Sequence, residues 1–452
     1  MTIEISRRTR LAVALAALLG GAVAGCSTAD KLLQATNPAA IPESQLNNAT
    51  LVGVLLNSSI GELQQAYADP FIWRGSMLTD EQVTGINWEQ TARLNQRIVH
   101  YDDGEADFMY RNLQRFRAVA DSVAGRFRTL LTTPASDPRM AEALAYAGYG
   151  YILLGEAMCQ SNFSYGGQLG TTVYTSDQIT ALAIPKLQEA LQIAVAARND
   201  TIANLARVGL ARASLQLGKM ADVKTYAAQV PASFSYWVYY SQNSAREENV
   251  MYDRTHGANK ALGVSPWFLY GPFGTKGQTN QTDPRIQYTP DWAYGHNALT
   301  KLYTPWAPWS YSTYNGATQA AGGKPGDFTY GTNIRLASGL EAQHDYAEAD
   351  GPTAATLSFV NARRAYGNEA PLPAGTSGSD LMAALRQERG RDLYLGGYRL
   401  GDLRRWKAQG VGDFFPTGPH VNATWGNYGT ATCFPIPLEE YNANPGLAKP
   451  TG

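Results

Sequence analysis

The sequence predicts a mainly α-helical fold, in which paired helices form a bundle and a long irregular insertion holds a short β-hairpin. Apolar residues recur at steps of three and four in the first half of the chain and again near its end, which is the spacing of amphipathic helices. That periodicity disappears between Ser233 and Tyr330. The 44 glycines and 26 tyrosines among 452 residues are typical of long polar and aromatic loops.

The composition excludes several classes of protein. The 37 Lys and Arg residues nearly balance the 38 Asp and Glu residues, so there is no excess of positive charge for binding nucleic acid. A hydrophobic content of 44 % excludes a disordered chain, and no repeated apolar segments of about 18 residues indicate a polytopic membrane protein. Three cysteines in so long a chain do not make a disulfide scaffold.

Residues 1–25 are predicted to be a lipoprotein signal peptide. Three arginines precede an apolar run that ends in Val23-Ala24-Gly25-Cys26. This ending resembles the bacterial lipobox, whose cysteine is acylated before the peptide is cleaved. The resemblance implies that Cys26 begins the mature chain and carries acyl chains such as palmitate, since two or more chains anchor a protein stably. The alternatives are an ordinary secretory signal with a chance cysteine and a short transmembrane anchor.

Two further cysteines, Cys159 and Cys433, remain after export. An exported protein is able to join them in a disulfide. Cys159, however, ends an apolar helical pattern, so we expect a buried thiol and no bridge.

The first part of the chain is predicted to consist of paired helices. Two apolar stripes, separated by Pro134 and Pro138, define the first pair, and a third stripe has Pro185 in its first turn. The stripes consist of Leu113, Phe116, Ala120, Val123, Phe127 and Leu130, then Leu144, Ala147, Tyr151, Leu154 and Met158, then Ile184, Leu187, Leu191 and Val195. Residues 210–231 resemble a degenerate tetratricopeptide repeat, with Gly218 at the turn and Pro231 after the second helix. Helical pairs of this kind stack to bury their faces.

Helical patterning resumes at about 334–347, 354–366 and 381–395, and the last of these segments carries a distinctive motif. Residues 388–406 resemble the pattern Glu-Arg-x-x-Glu-Phe-x-x-Glu-Gly-x-Arg-x-x-Asp-Leu-x-Arg-Trp of the SusD/RagB family of nutrient-binding outer-membrane lipoproteins. The matching positions are Glu388, Arg389, Gly397, Arg399, Asp402, Leu403, Arg405 and Trp406. The departures from the pattern are Asp392 and Gly396, which stand where the family has glutamates, and Gly401, which stands where an aromatic residue is common.

The end of the chain supports the same resemblance. Residues 434–447 look like the closing Pro-Ile-Pro…Glu…Asn-Pro-x-Leu of that family, and residues 334–365 are similar to the helical pair that precedes its signature. The resemblance implies a single SusD-like domain over 26–452. Its helical scaffold would span about 44–231 and 334–452, and its aromatic loop region about 233–330. We expect Glu388, Arg399 and Asp402 to pair across the helix-turn-helix, with the stem of Arg405 beside Trp406.

The resemblance also implies a function. Such a protein sits at the cell surface, bound to the outer membrane through acylated Cys26. It traps oligosaccharide, or less often peptide, as a lid on a TonB-dependent transporter of the SusC type. No cofactor follows from the resemblance, and no nucleic acid is expected as a partner.

The sequence offers little sign of catalysis. The five histidines are far apart, without the spacing of a metal site, and no phosphate-binding loop or Gly-x-Ser-x-Gly motif occurs. Neighbouring carboxylates occur at Asp102-Asp103, Glu247-Glu248 and Glu439-Glu440, but adjacent side chains diverge, so solvated faces are expected there. We therefore predict neither an enzyme nor a metal site.

The aromatic loop region contains the predicted ligand-binding site. Its rings crowd into 23 residues that also hold Pro305 and Pro308. A flat aromatic face fits the C–H face of a sugar, and prolines lower the entropy cost of ordering the loop. The predicted residues are Trp292, Tyr294, Trp306, Trp309, Tyr311 and Tyr314, joined by Trp73 from an early loop. Trp88 and Trp425 are not included.

Two alternatives differ in class from a binding protein. A lipid-anchored glycan hydrolase would use carboxylates that are distant in sequence. A scaffold of repeat helices would have no small-molecule site, and its aromatic rings would only pack the loops onto the helices.

Overall fold

The computed structural model describes the greater part of the chain, namely residues 43–85, 88–165, 168–255, 262–265, 283, 285–286, 288–294, 301–305, 329–421 and 425–450. Two compact units are distinguished, Met1–Leu51 and Val52–Gly452. The first contains short 3-10 turns at Glu43–Gln45 and Ala49–Leu51. The second contains all the other described residues.

Helices dominate the described residues of this unit, as the sequence predicts. Before the insertion they are α1 (Val52–Ala66), α2 (Trp73–Leu78), α3 (Glu89–Asn95), α4 (Gly104–Leu130), α5 (Pro138–Ala157), α6 (Ser176–Ala181), α7 (Ala183–Ala196), α8 (Asp200–Gln216) and α9 (Met220–Ala227). Within and after it they are α10 (Val250–Thr255), α11 (Gly339–Asp350), α12 (Ala354–Tyr366), α13 (Gly378–Asp392), α14 (Arg399–Ala408) and α15 (Leu438–Ala443).

Within the described ranges the strands are short and form four separate antiparallel pairs. They are β1 (Gln82–Thr84) with β5 (Leu262–Val264), β2 (Gln160–Ser161) with β3 (Tyr174–Thr175), β4 (Ser235–Val238) with β8 (Ile334–Ser338), and β6 (Tyr288–Tyr294) with β7 (Lys301–Pro305). The β6–β7 pair is the predicted hairpin in the aromatic loop region.

The early helices stack in sequence order. Helix α1 packs on α4, α4 on α5, α5 on α7, α7 on α8 and α8 on α9, and α9 in turn packs on α11. The helices predicted from their apolar stripes are confirmed as α4, α5, α7, α8 and α9. Asp137 starts α5 by accepting the amide hydrogen bond of Arg139 at 2.9 Å, and Gly218 makes the α8–α9 turn with a φ of +69°.

Small residues let these helices approach closely. A β-carbon on Gly148 of α5 would lie 2.5 Å from Cγ of Leu187 on α7, so glycine is required at this crossing. The buried stripe of α7 differs from the predicted one. Val195 is exposed, and Ala190 and Ala194 are buried instead, because α5 and α8 enclose α7 on its small-residue side.

Residues 334–338 form a strand and not the start of a helix, which corrects the sequence prediction. In the β4–β8 ladder Ser235 lies opposite Ser338, and Val238 lies opposite Ile334. All five residues of β8 are buried, so this strand has no solvent-exposed face. The alternation of apolar and polar residues that would identify a strand is therefore missing from the sequence. The helix begins at Gly339, where the Ser338 hydroxyl accepts the amide hydrogen bond of Glu341 at 3.0 Å. The chain between the two strands, residues 239–333, is called the insert below.

A disulfide joins Cys159 to Cys433, which contradicts the expected free thiol. The Cα atoms of the two cysteines are 5.1 Å apart across a sequence separation of 274 residues. Backbone hydrogen bonds flank the bridge, from the Cys159 amide to the Phe434 carbonyl at 2.8 Å and from the Phe434 amide to the Ala157 carbonyl at 2.9 Å. The C-terminal segment is thus held against the end of α5. The expectation failed because the pairing depends on this long-range contact.

Candidate ligand-binding site

Only some of the predicted aromatic residues of the insert lie in the described part of the chain. Trp292 and Tyr294 lie on β6, where their backbones stand opposite Tyr303 and Lys301 of β7. Strand β7 packs beside β5, and β5 pairs with β1. The hairpin therefore adjoins the chain that follows α2. Four other predicted residues fall outside the described part of the chain: Trp306, Trp309, Tyr311 and Tyr314.

Trp73 lies in a helix and not in a loop, which corrects the expectation for this residue. It is the first residue of α2, follows a kinked turn at Tyr67–Ile72, and is only 1 % exposed. Guanidinium groups lie against its ring, that of Arg74 at 4.1 Å and that of Arg254 at 4.4 Å from the centroid. An indole so enclosed has little surface open to a ligand, and the role of Trp73 in binding stays a prediction.

Arg74 is the buried cation of this region. Its guanidinium lies between the rings of Trp73 and Phe108 and donates to Glu105 at 2.5 Å, with Asp69 as a second carboxylate partner. Burial lowers the pKa of Arg74 to about 10, although Glu105 acts in the opposite direction. The group stays charged at neutral pH and fixes the turn before α2.

Trp88 is a candidate that the sequence analysis left out. Among the tryptophans whose burial the structure describes, it is the exposed one, with 45 % of its surface accessible. It directly precedes α3 and comes four residues after β1, the strand whose partner β5 lies beside the hairpin. No sequence motif marks Trp88. Its position emerges only from the pairing of β1 with β5, which are far apart in the chain.

A buried arginine ties the insert to the signature helix α13. Arg285 is fully buried and contacts Asp283 at 2.6 Å, Glu388 at 2.7 Å and Asp392 at 3.0 Å. Burial alone would raise the pKa of Asp392, but Arg285 and Arg363 hold it well below its usual range. Asp392 stands where the family pattern has a glutamate, and here it is a central anion of the network.

The expected ion pairs of the signature are only partly confirmed. Asp402 does pair within it, accepting from Arg389 at 2.7 Å and from Arg405 at 3.0 Å. Arg399 instead binds both oxygens of Asp80 at 2.7 Å, and Glu388 binds Arg285. These partners are distant in sequence, so the motif alone does not identify them.

Arg405 extends the network beyond the motif. Its guanidinium lies 5.4 Å from the Trp406 ring centroid and donates to Glu348 on α11 at 2.6 Å. The Trp406 indole N–H donates to the same carboxylate at 2.9 Å. Buried pairs of this kind fix the geometry of α11, α13 and α14 more than they add stability.

The neighbouring carboxylates serve structural roles where the structure shows their bonds. Asp103, expected on a solvated face, is buried and accepts from the His100 amide at 2.7 Å. Glu247 accepts from the Ser241 hydroxyl at 2.5 Å, and Glu440 accepts from the Asn162 amide nitrogen at 2.7 Å. Within the described ranges no three His, Cys, Asp or Glu side chains converge as a metal site.

The chain is similar to SusD-like proteins both in its C-terminal sequence and in its fold. The SusD family model matches residues 346–452, which include both C-terminal motifs. A SusD superfamily protein from Parabacteroides distasonis aligns over 89 % of this chain and 98 % of its own, with a TM-score of 0.64 and 15 % identity. No curated protein matches the chain by sequence.

Two further similar structures are those of a carbohydrate binding protein and of a glycan-binding protein. A SusD-like carbohydrate binding protein from Bacteroides vulgatus aligns over 88 % of this chain and 97 % of its own, with a TM-score of 0.60 and 13 % identity. The surface glycan-binding protein A of Bacteroides uniformis aligns over 88 % and 98 %, with a TM-score of 0.60 and 12 % identity. The fold is thus that of SusD-like proteins, and the resemblance to the SusD/RagB family is confirmed.

Proposed function

We propose that this protein is a cell-surface lipoprotein that binds oligosaccharide and delivers it to a TonB-dependent transporter of the SusC type. The SusD-like fold over nearly the whole chain is the observation that carries the proposal. Two proteins with this fold are described as carbohydrate or glycan binders, which favours the same ligand class here. We infer that the protein binds its ligand without catalysing a reaction on it.

We place the ligand on the aromatic insert and the surface beside it. The backbone ladder of the hairpin pairs position 292 with 303 and position 294 with 301, so three of these four aligned positions are aromatic residues. Trp88 presents an exposed indole near β1, and β5 links that strand to the hairpin. Rings arranged along an extended surface suit a polymer of sugars, because each ring covers one apolar sugar face.

The first test removes two of the predicted ligand-binding tryptophan side chains from the insert. We expect Trp306→Ala with Trp309→Ala to weaken oligosaccharide binding at least about tenfold, since each stacked ring supplies about 0.5–1.5 kcal/mol beyond its buried area. A glycan array identifies the ligand, and isothermal titration calorimetry measures its affinity. Tyr366→Ala, which removes an exposed tyrosine side chain at the end of α12 and outside the insert, is the control. Unchanged affinity in the double variant would exclude these two residues from the site.

The anchor is tested at Cys26. We expect radiolabelled palmitate to be incorporated into the intact chain and not into Cys26→Ser, and the variant to leave the outer-membrane fraction. Among the described residues no helix has the length and apolar character to cross a bilayer. The Cys159–Cys433 bridge supports export, because disulfides persist in oxidising compartments. Equal labelling of both proteins would contradict the lipobox.

Two other functions remain as competing hypotheses. A glycan hydrolase would release shortened products, and a peptide-binding member of the same fold would bind peptides in place of sugars. Co-purification of the intact chain with a transporter of the SusC type tests the partner. Its absence under conditions that retain the ligand would leave a binding protein without the proposed delivery step.

A further inference from the structure

A second aromatic cleft lies on the helical scaffold, outside the insert. It has a volume of about 560 Å³ and opens between α4, α5, the start of α7 and the loop residues 163–165 and 170–174. That volume falls within the range of about 300–1,000 Å³ typical of ligand pockets. None of its lining residues belongs to the insert.

Aromatic rings form one wall of the cleft. The Phe163 ring contacts Tyr151 at 5.3 Å and Tyr174 at 5.1 Å between centroids, and Tyr165 joins them through a 2.6 Å hydrogen bond between its hydroxyl and that of Tyr151. Arg117, which is 2 % exposed, lies 4.9 Å from the rings of both Phe163 and Tyr165. The buried guanidinium holds the rings in place from behind.

The charged groups at the cleft are already paired. Lys186 binds Asp121 at 2.6 Å, and this carboxylate also accepts from the Tyr151 hydroxyl at 2.6 Å. Arg128 binds both oxygens of Glu189 at 2.7 Å. A charged ligand would have to compete with these pairs, whereas a neutral ligand with hydroxyl groups adds hydrogen bonds at their edges.

The lip of the cleft is unusually apolar for an exposed loop. Tyr165 and Leu169 are each 53 % exposed and Val173 is 42 % exposed. A β-carbon on Gly170 would clash with the Phe163 carbonyl oxygen, so glycine lets the loop pass close to the backbone at Phe163. Exposed apolar residues gathered around a concave surface mark a binding site more often than isolated ones do.

We propose that this cleft is a second carbohydrate site, which takes one end or one branch of a neutral oligosaccharide. The apolar face of a sugar ring packs on Tyr165 and Tyr174, and its hydroxyls meet the phenols and the Lys186 and Glu189 side chains. The inference does not depend on ligand binding at the insert, because the two sites share no residue.

The test measures sugar binding with the site on the insert removed. The whole chain carrying Trp306→Ala and Trp309→Ala is titrated by saturation-transfer NMR with maltohexaose, cellohexaose, xylohexaose and mannohexaose. We expect millimolar or tighter binding of at least one of them. Adding Tyr165→Ala should weaken that binding about fivefold to tenfold, the effect of one lost stacking contact. Because Tyr165 is half exposed, the substitution leaves the core intact.

Tyr366→Ala is the matched control, since Tyr366 is 39 % exposed and lies outside both the cleft and the insert. The affinity of this variant for the sugar should stay within twofold of that of the parent protein. The proposal is overturned if none of the four sugars binds the parent, or if Tyr165→Ala and Tyr366→Ala behave alike. It is also overturned if Leu169→Ala abolishes co-purification of a protein partner while sugar binding is unchanged. In that case the lip is a protein interface.

Discussion

Glu81 shows how one buried carboxyl makes stability depend on pH. It lies at the end of the turn after α2, and its carboxylate oxygen accepts the Leu395 amide hydrogen bond at 2.7 Å. Burial raises the pKa of Glu81 to about 8, against the opposing effects of that hydrogen bond and of Arg399. The carboxyl is therefore neutral in the folded protein at pH 7 and ionised in the unfolded chain.

We expect Glu81 to lower the free energy of unfolding as the pH rises. The pKa of Glu81 in the folded protein lies above its value of about 4.3 in the unfolded chain. The stabilisation that the neutral carboxyl gives the folded state is therefore fully present below about pH 4.3. It is lost as the pH rises to about 8, at up to ~1.4 kcal/mol per pH unit. Glu81→Gln removes this titration. Urea unfolding at pH 5, 6, 7 and 8 should show the variant gaining on the parent protein at each step. Parallel pH profiles would contradict the buried, neutral carboxyl. The raised pKa of Glu341 affects both proteins equally.

Residue-scale prediction worked where the role was local. The sequence predicted that Arg405 lies beside Trp406, and its guanidinium is 5.4 Å from that ring centroid. It also predicted that Asp402 pairs across the helix-turn-helix, and Asp402 binds Arg389 at 2.7 Å. It did not find Asp80 as the partner of Arg399, because 319 residues separate them. It also placed Trp73 in a loop, whereas Trp73 begins a buried helix. The neighbouring charged residue Arg74 suggested exposure, but it is itself buried among aromatic rings. Amino-acid type alone does not reveal such burial.

At the scale of elements, helices were predictable and strand pairings were not. The stripes that define α4 and α5 arise from neighbours three and four residues apart, so the sequence displays them directly. The β4–β8 ladder joins segments about one hundred residues apart and brings the two ends of the insert together. The same holds for the β1–β5 pair, which brings the chain after α2 together with the insert.

The disulfide between the end of α5 and the C-terminal segment gives a testable element-scale effect. Cys159→Ser with Cys433→Ser should lower the free energy of unfolding by about 2–4 kcal/mol, since the bridge closes a long loop of the unfolded chain. Differential scanning calorimetry should show a fall of several degrees in the melting temperature. Reductant should produce the same fall in the parent protein and none in the variant. Two free thiols in the unreduced, unfolded parent would contradict the bridge.

At the scale of the whole molecule, the stacked helices form a scaffold from which the insert emerges. Both ends of the insert leave that scaffold side by side at β4 and β8, and Arg285 ties part of it to α13. Within the described core, the carboxylates of Asp402 and Glu348 are held in ion pairs with arginines. The SusD-like architecture was predictable because its C-terminal motifs are local, whereas the cleft at Tyr165 depends on packing among distant helices.

The most direct test of the central claim follows the ligand itself. The whole protein is mixed with the oligosaccharide that binds it best on a glycan array, binding is measured by isothermal titration calorimetry, and the sugar is then analysed by anion-exchange chromatography after a day. We predict saturable binding and recovery of the oligosaccharide unchanged in length. Shorter products formed by the pure protein, or the absence of saturable binding to any glycan, would contradict the account.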